Sequence, residues 1–193
     1  MSATPVREEA WKLLTEYVPS DNLQRHALAV EAVMRYMARK RGEDEETWGL
    51  IGLVHDIDYE RYPEEHCKKA PAILREHGWP EEMIRAVVSH GWGICSDVEP
   101  LTAAEKVLYT IDELTGLVAA AALVRPSKSV LDLPVKSVTK KWKDKAFAAG
   151  ADRSVIEKGA AMLGMELAEL IEDCIEGMRT QAEAIGLKGN PGA

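Results

Sequence analysis

Apolar residues recur at intervals of three and four along almost the whole chain, and alternating β-branched runs are nearly absent. That period predicts eight or nine helices joined by short Gly/Pro loops, and no sheet. The first helix should span about Val6 to Val18 and stop at Pro19, after which Ser20 or Asp21 can cap a long second helix ending near Gly42. A third, roughly Glu45 to His55, carries Trp48, Ile51 and His55 on one stripe. A polar loop with Pro63 leads to a fourth helix reaching Gly78, and a fifth runs from Pro80 to His90. Thr102 with Glu105 three residues later opens a long apolar helix through Asp112 to about Val124. Beyond it lie a lysine-rich segment from Pro134 to Lys145 and helices from Asp152 to Gly164 and Met165 to Ile185.

Composition adds limits to this picture. With 193 residues, 46% of them hydrophobic, and no internal repeat or low-complexity linker, one all-α domain over residues 1–185 is expected, with residues 186–193 (GLKGNPGA) as a disordered tail. No run of about 18 apolar residues and no signal-peptide pattern is present, so a cytoplasmic protein without a membrane partner is expected. The net charge of −8 argues against a nucleic-acid polymer as partner, because the acidic field repels it. Cys67, Cys95 and Cys174 are odd in number and widely spaced, which gives neither a disulfide framework nor a Cys-x-x-Cys site. Oligomeric state is not legible.

Four polar side chains fall where the pattern demands apolar ones. His26 lies within the stripe of Leu23, Ala27, Val30 and Met34; His55 follows Ile51; Asp56 comes where that helix ends; and Asp112 interrupts VLYTIDELTGLV. Each alone reads as a satisfied core residue, but two histidines and two aspartates directed at one interior are satisfied together by a divalent cation.

A His, a distant His-Asp doublet and a later Asp, each on a separate helix, resemble the HD-domain superfamily of metal-dependent phosphohydrolases. LVHDIDYERYPEEHCKKA, AVVSHGWG, AEKVLYTIDELTGL and ALVRPSKSV extend the resemblance over about Leu23 to Ile185 and point to a subfamily of predicted hydrolases. It implies a compact multi-helix HD-domain bundle, one or two divalent ions of unspecified identity (Fe, Mn, Co, Ni, Zn or Mg), and His26, His55, Asp56 and Asp112 as ligands. Two-metal relatives insert further histidines between doublet and last aspartate, which makes His66 and His90 candidates for a second ion. His77 is instead expected to cap a helix C-terminus, and Cys67 is not expected as a ligand because successive side chains on a helix diverge.

The implied activity is hydrolysis of a phosphate ester or anhydride of a nucleotide or other small phosphorylated metabolite by metal-activated water. Asp58 and Glu60, just beyond the doublet, are the candidates for the catalytic base; Lys106 and Glu113 flank Asp112; and Arg125 and Lys128 are the candidates for substrate contact. The doublet is followed by Ile57-Asp58-Tyr59-Glu60 rather than the Ile-Gly-Lys of several relatives, which leaves the base open. The alternatives are a di-iron oxygenase, admitted by His66 and His90, and a metal-binding regulatory module.

Overall fold

The helices begin and end where capping chemistry puts them. In a computed structural model, which describes residues 5–192, they are α1 (Arg7–Tyr17), α2 (Asp21–Arg41), α3 (Glu45–Val54), α4 (Ala70–Glu76), α5 (Glu81–Ser89), α6 (Ala103–Leu123), α7 (Val135–Trp142), α8 (Arg153–Leu163) and α9 (Leu167–Arg179), with a 3-10 turn at Pro63–Glu65. Gly42 stops α2 in the left-handed region (φ 71°), its N–H returning to the carbonyls of Ala38 and Arg39. The Asp44 carboxylate accepts from the N–H groups of Glu46 and Thr47 and starts α3. Thr102 and Glu105 form the expected capping box of α6. Among the described residues there is no strand, and the chain is an all-helical bundle.

Helix α2 is the central element and packs on α3, α6 and α9. Its neighbours come close because they present glycine: a Cβ at Gly177 of α9 would lie 2.7 Å from Val33 Cα, and one at Gly52 of α3 would lie 3.2 Å from Glu31 Cα. Buried charge fixes the same helix laterally. Glu31, 4% exposed, accepts from Arg7 Nε at 2.7 Å, Arg7 Nη2 at 2.8 Å and Arg35 Nε at 3.0 Å. Lys40 Nζ donates to both oxygens of Asp173 on α9 at 2.8 and 2.9 Å. Removing one partner of such a buried pair leaves the other charge uncompensated.

One continuous hydrophobic core runs from Ala10 of α1 to Leu187. The core reaches Leu187, two residues past the expected domain limit at 185 and inside the segment expected as a tail. Leu187 is buried and its carbonyl accepts from Val130 N at 2.9 Å, while Asn190 N donates to Ser127 O at 2.8 Å. Those two backbone hydrogen bonds, the buried Leu187 and a bond from Gly192 N to Asp132 Oδ2 at 3.3 Å place the segment against the loop after α6. Residues 1–4, included in the expected domain, and residue 193 of the expected tail lie outside the described residues. Among the described residues no helix is long and apolar enough to cross a membrane.

The two kinds of helical glycine separate experimentally. Gly177→Ala should lower stability by about 1–3 kcal/mol through overpacking against α2. Gly116→Ala in α6, where nothing lies within 4 Å of the added methyl, should raise it by about 0.5–1 kcal/mol. Urea unfolding midpoints of the two variants check both signs.

Candidate metal centre

His26 stands in the second turn of α2, His55 is the C-cap of α3, Asp56 opens the turn that follows, and Asp112 sits midway along α6. The packing of α2 on α3 and α6 brings the four together. His26 Nε2 is 2.9 Å from Asp112 Oδ1 and 3.8 Å from Asp56 Oδ2. His55 Nε2 is 3.3 Å from each of those same two oxygens.

The tautomer of His55 is fixed from behind. Its Nδ1–H donates to the Gly52 carbonyl at 2.8 Å, so Nε2 presents a lone pair toward two carboxylate oxygens that are themselves acceptors. That nitrogen is fully buried and has no hydrogen-bond partner among the described residues. Acceptors facing acceptors are repulsive, and either a proton or a cation between them removes the repulsion. The donor set of His26, His55, Asp56 and Asp112 thus fits a divalent ion, with imidazole oriented by a backbone carbonyl as metal-binding histidines commonly are.

A second group of donors adjoins the first through the other oxygen of Asp56. Asp56 Oδ1 is 3.4 Å from His66 Nε2 and 3.3 Å from His90 Nε2, and those two nitrogens are 3.1 Å apart. His90, the C-cap of α5, donates from Nδ1 to the Val87 carbonyl at 2.5 Å. His66 is oriented by Asp58, whose Oδ1 accepts from Nδ1 at 2.8 Å. The remaining oxygen of Asp58 accepts from the N–H groups of Lys69 and Ala70 at 3.1 and 2.8 Å. Both imidazoles therefore aim Nε2 at the space beside Asp56.

The electrostatics record how much positive charge the site demands. Burial opposes protonation of His55, yet Asp56 and Asp112 raise its pKa well above the ordinary value. Burial likewise opposes protonation of His66, and the hydrogen bond to Asp58 with contact from Cys95 and Asp56 carries it up to about 10. Against the same desolvation, His55 and His90 hold Asp56 well below the carboxylate range, and His55 and His26 do so for Asp112. Contact with Cys67, and with His66 and His90 against burial, lowers the Cys95 thiol to about 5. Burial raises Glu113.

These groups open onto a cavity of about 510 Å³ lined on its polar side by His26, Asp56, His66, His90, Asp112 and Glu113, and elsewhere by Leu23, Tyr59, Ile94, Cys95 and the Ala148–Ala151 turn. Among the described residues lining it there is no lysine or arginine. Arg125 and Lys128, expected to contact substrate, are not brought there: the end of α6 is about 16 Å along the axis from Asp112. Arg125 Nη2 instead holds its own loop through the Asp132 carbonyl at 3.1 Å, and Lys128 is exposed to solvent.

The two expected catalytic carboxylates are also committed elsewhere. Asp58 is fully buried behind His66, and Glu60 Oε2 accepts from the backbone N–H of Ser20 at 3.1 Å, fastening the loop to the start of α2. Glu113, the other polar neighbour of Asp112, does face the cavity, with Oε2 accepting from Asp152 N at 2.9 Å. His77 caps α4 through Ile73 O at 2.9 Å, as its position before Gly78 suggested. Tyr59 and Cys95 were missed as cavity residues. Their sequence signals, an aromatic after the doublet and a cysteine in a Gly-rich loop, do not distinguish lining from ordinary loop positions.

With this geometry in view, residues 23–117, about half of the chain, match the family model of the HD domain, and the segment contains all six histidines and aspartates of the two donor groups. The chain belongs to the HD-domain superfamily of metal-dependent phosphohydrolases. No curated protein and no solved structure matches it.

Two measurements probe the centre. For the metal-free protein, the raised His55 and His66 contribute stability that is complete below the ordinary histidine value of 6.5 and is lost as pH rises through their raised values, about 10 for His66. The depressed Asp56 and Asp112 contribute stability present above 3.8 and lost as pH falls below it. The urea midpoint of metal-free protein should therefore decline between pH 6.5 and 10. A saturating divalent ion should flatten that alkaline decline, because the cation takes the place of the protons. Separately, Asp58→Asn removes the charged acceptor behind His66 and should weaken one of two metal-binding steps by about 10–100-fold in calorimetric titration, leaving the other unchanged.

Proposed function

We propose that the protein is a hydrolase of small phosphorylated metabolites, nucleotides among them, in which His26, His55, Asp56 and Asp112 hold one divalent cation and His66 and His90, on the other oxygen of Asp56, hold a second. The observation that carries this reading is the buried, unpartnered Nε2 of His55 aimed at two carboxylate oxygens. A divalent cation in such a site supplies Lewis acidity, polarising a phosphoryl oxygen and making water nucleophilic near neutral pH.

The chain's own residues then divide the remaining work. The carbonyls of Gly52 and Val87 and the Asp58 carboxylate keep three imidazoles in the tautomer that presents Nε2. Leu23, Ile94, Ala148 and Ala151 give the cavity an apolar wall that limits water and receives the non-phosphate part of a substrate. Since no lysine or arginine among the described residues lines the cavity, the charge of a phosphoryl anion is left to bound metal, which ties substrate binding to metal binding. Glu113, with one oxygen on the Asp152 N–H and its carboxyl facing the cavity, is assigned the proton transfer to the leaving oxygen in place of Asp58 and Glu60.

Phosphate release from a panel of nucleotides and sugar phosphates by manganese- or cobalt-replete protein tests this. Chelation and Asp56→Ala should reduce release to background, and Glu113→Gln should lower kcat by about 10²–10⁴-fold with metal content unchanged. The two donor groups sharing Asp56 also suit a di-iron pair that uses dioxygen. Turnover that persists without air excludes that second reading, and turnover that needs air, or no release from any phosphate, overturns the first.

A further inference from the structure

The loop that delivers His66 also delivers a sulfur. The 3-10 turn ends at Glu65, His66 is extended (φ −54°, ψ 140°), and Cys67 adopts the left-handed conformation (φ 64°) before α4 begins at Ala70. A non-glycine residue there is disfavoured, and such conformations persist where surrounding structure demands them. The expectation that Cys67 diverges from His66 assumed a helix, and none is present at those residues. Cys67 is buried, with Sγ 4.0 Å from His90 Nε2.

A second sulfur arrives from the opposite side. After α5 the chain turns tightly, with the N–H groups of Cys95 and Ser96 donating to the Gly91 carbonyl at 3.0 and 3.1 Å, and this places Cys95 Sγ 2.9 Å from Cys67 Sγ, on the wall of the same cavity that His66 and His90 line. Both are free thiols. Gly91 leaves them the room: a Cβ there would lie 2.6 Å from Cys67 Sγ and would collide with Cys95 Sγ. His66, Cys67 and His90 place their donor atoms within 4.8 Å of one another, and Cys95 adjoins that trio through Cys67. Two nitrogens with two sulfurs is the donor set that selects borderline and soft divalent ions, zinc foremost, over magnesium or calcium.

We propose that Cys67 and Cys95 join His66 and His90 as ligands of the second ion, making it a sulfur-bearing, zinc-type site beside a first site built from nitrogen and oxygen alone. This rests on the reading of His66 and His90 as metal ligands, and the test separates the two.

Reduced, metal-free full-length protein is titrated with cobalt(II), reading stoichiometry and the near-ultraviolet sulfur-to-cobalt charge-transfer band together. The expected result is two ions per chain, one of which brings the band. Cys67→Ser/Cys95→Ser should abolish the band and weaken that step by at least about 10–100-fold, while Cys174→Ser leaves both unchanged. In the unsubstituted protein, independent of any folding defect in the variants, zinc should protect two of the three thiols from a thiol reagent and a chelator should release them. Cobalt binding without a charge-transfer band, or thiols equally reactive with and without zinc, overturns the sulfur ligands and leaves the metal centre standing. Absence of any cobalt binding overturns both.

Discussion

Asp56 reaches in two directions at once, and the rest of the site is arranged around that fact. One of its oxygens lies near His26 and His55, which also face Asp112, and the other lies between His66 and His90. Two carboxylates in a helical interior are costly unless positive charge meets them. The cavity offers none from lysine or arginine among the described residues, so the charge comes from protons on the imidazoles or from metal ions. The raised values of His55 and His66 and the depressed values of Asp56 and Asp112 are two sides of that one demand.

Holding the donors still is the task of groups that never face the cavity. The carbonyls at the ends of α3 and α5 fix His55 and His90, and a buried aspartate tied to two backbone N–H groups fixes His66. Further out, Glu31 between Arg7 and Arg35, Asp173 on Lys40, and Gly177 against Val33 fix α2, and with it His26, relative to α1 and α9. Helices outside the matched segment thereby position a residue inside it.

The sequence disclosed the helices and the four inward polar residues because both depend on local periodicity. Asp112 could be found because an acidic residue contradicts an otherwise apolar helix, and His26 because it lies in a stripe. Loop residues carry no such contradiction. Asp58 and Glu60 looked like free carboxylates beside the doublet, since nothing local tells a buried acceptor of backbone N–H groups from an exposed base. Arg125 looked like a phosphate ligand because its partner, Asp132, lies across a turn whose shape is not encoded in spacing. Cys67 was discounted by extending a helix through residues whose actual conformation includes a left-handed turn.

The sulfur donors bear on which chemistry the centre runs. A four-donor set of two imidazoles and two thiols is the composition of closed sites that hold structure, whereas sites that perform chemistry keep a position open. With Cys67 and Cys95 as ligands, the second ion ties the turn before α4 to the turn after α5 and steadies Asp56 from one side. On that proposal a cation held by His26, His55, Asp56 and Asp112, three of which line the cavity, would be the one to meet substrate. An arrangement so unequal suits hydrolysis by a single Lewis-acidic ion better than a matched pair sharing electrons with dioxygen. The same asymmetry favours Glu113 for the proposed proton transfer, because it lines the cavity beside Asp112 with its Oε2 held by the Asp152 N–H.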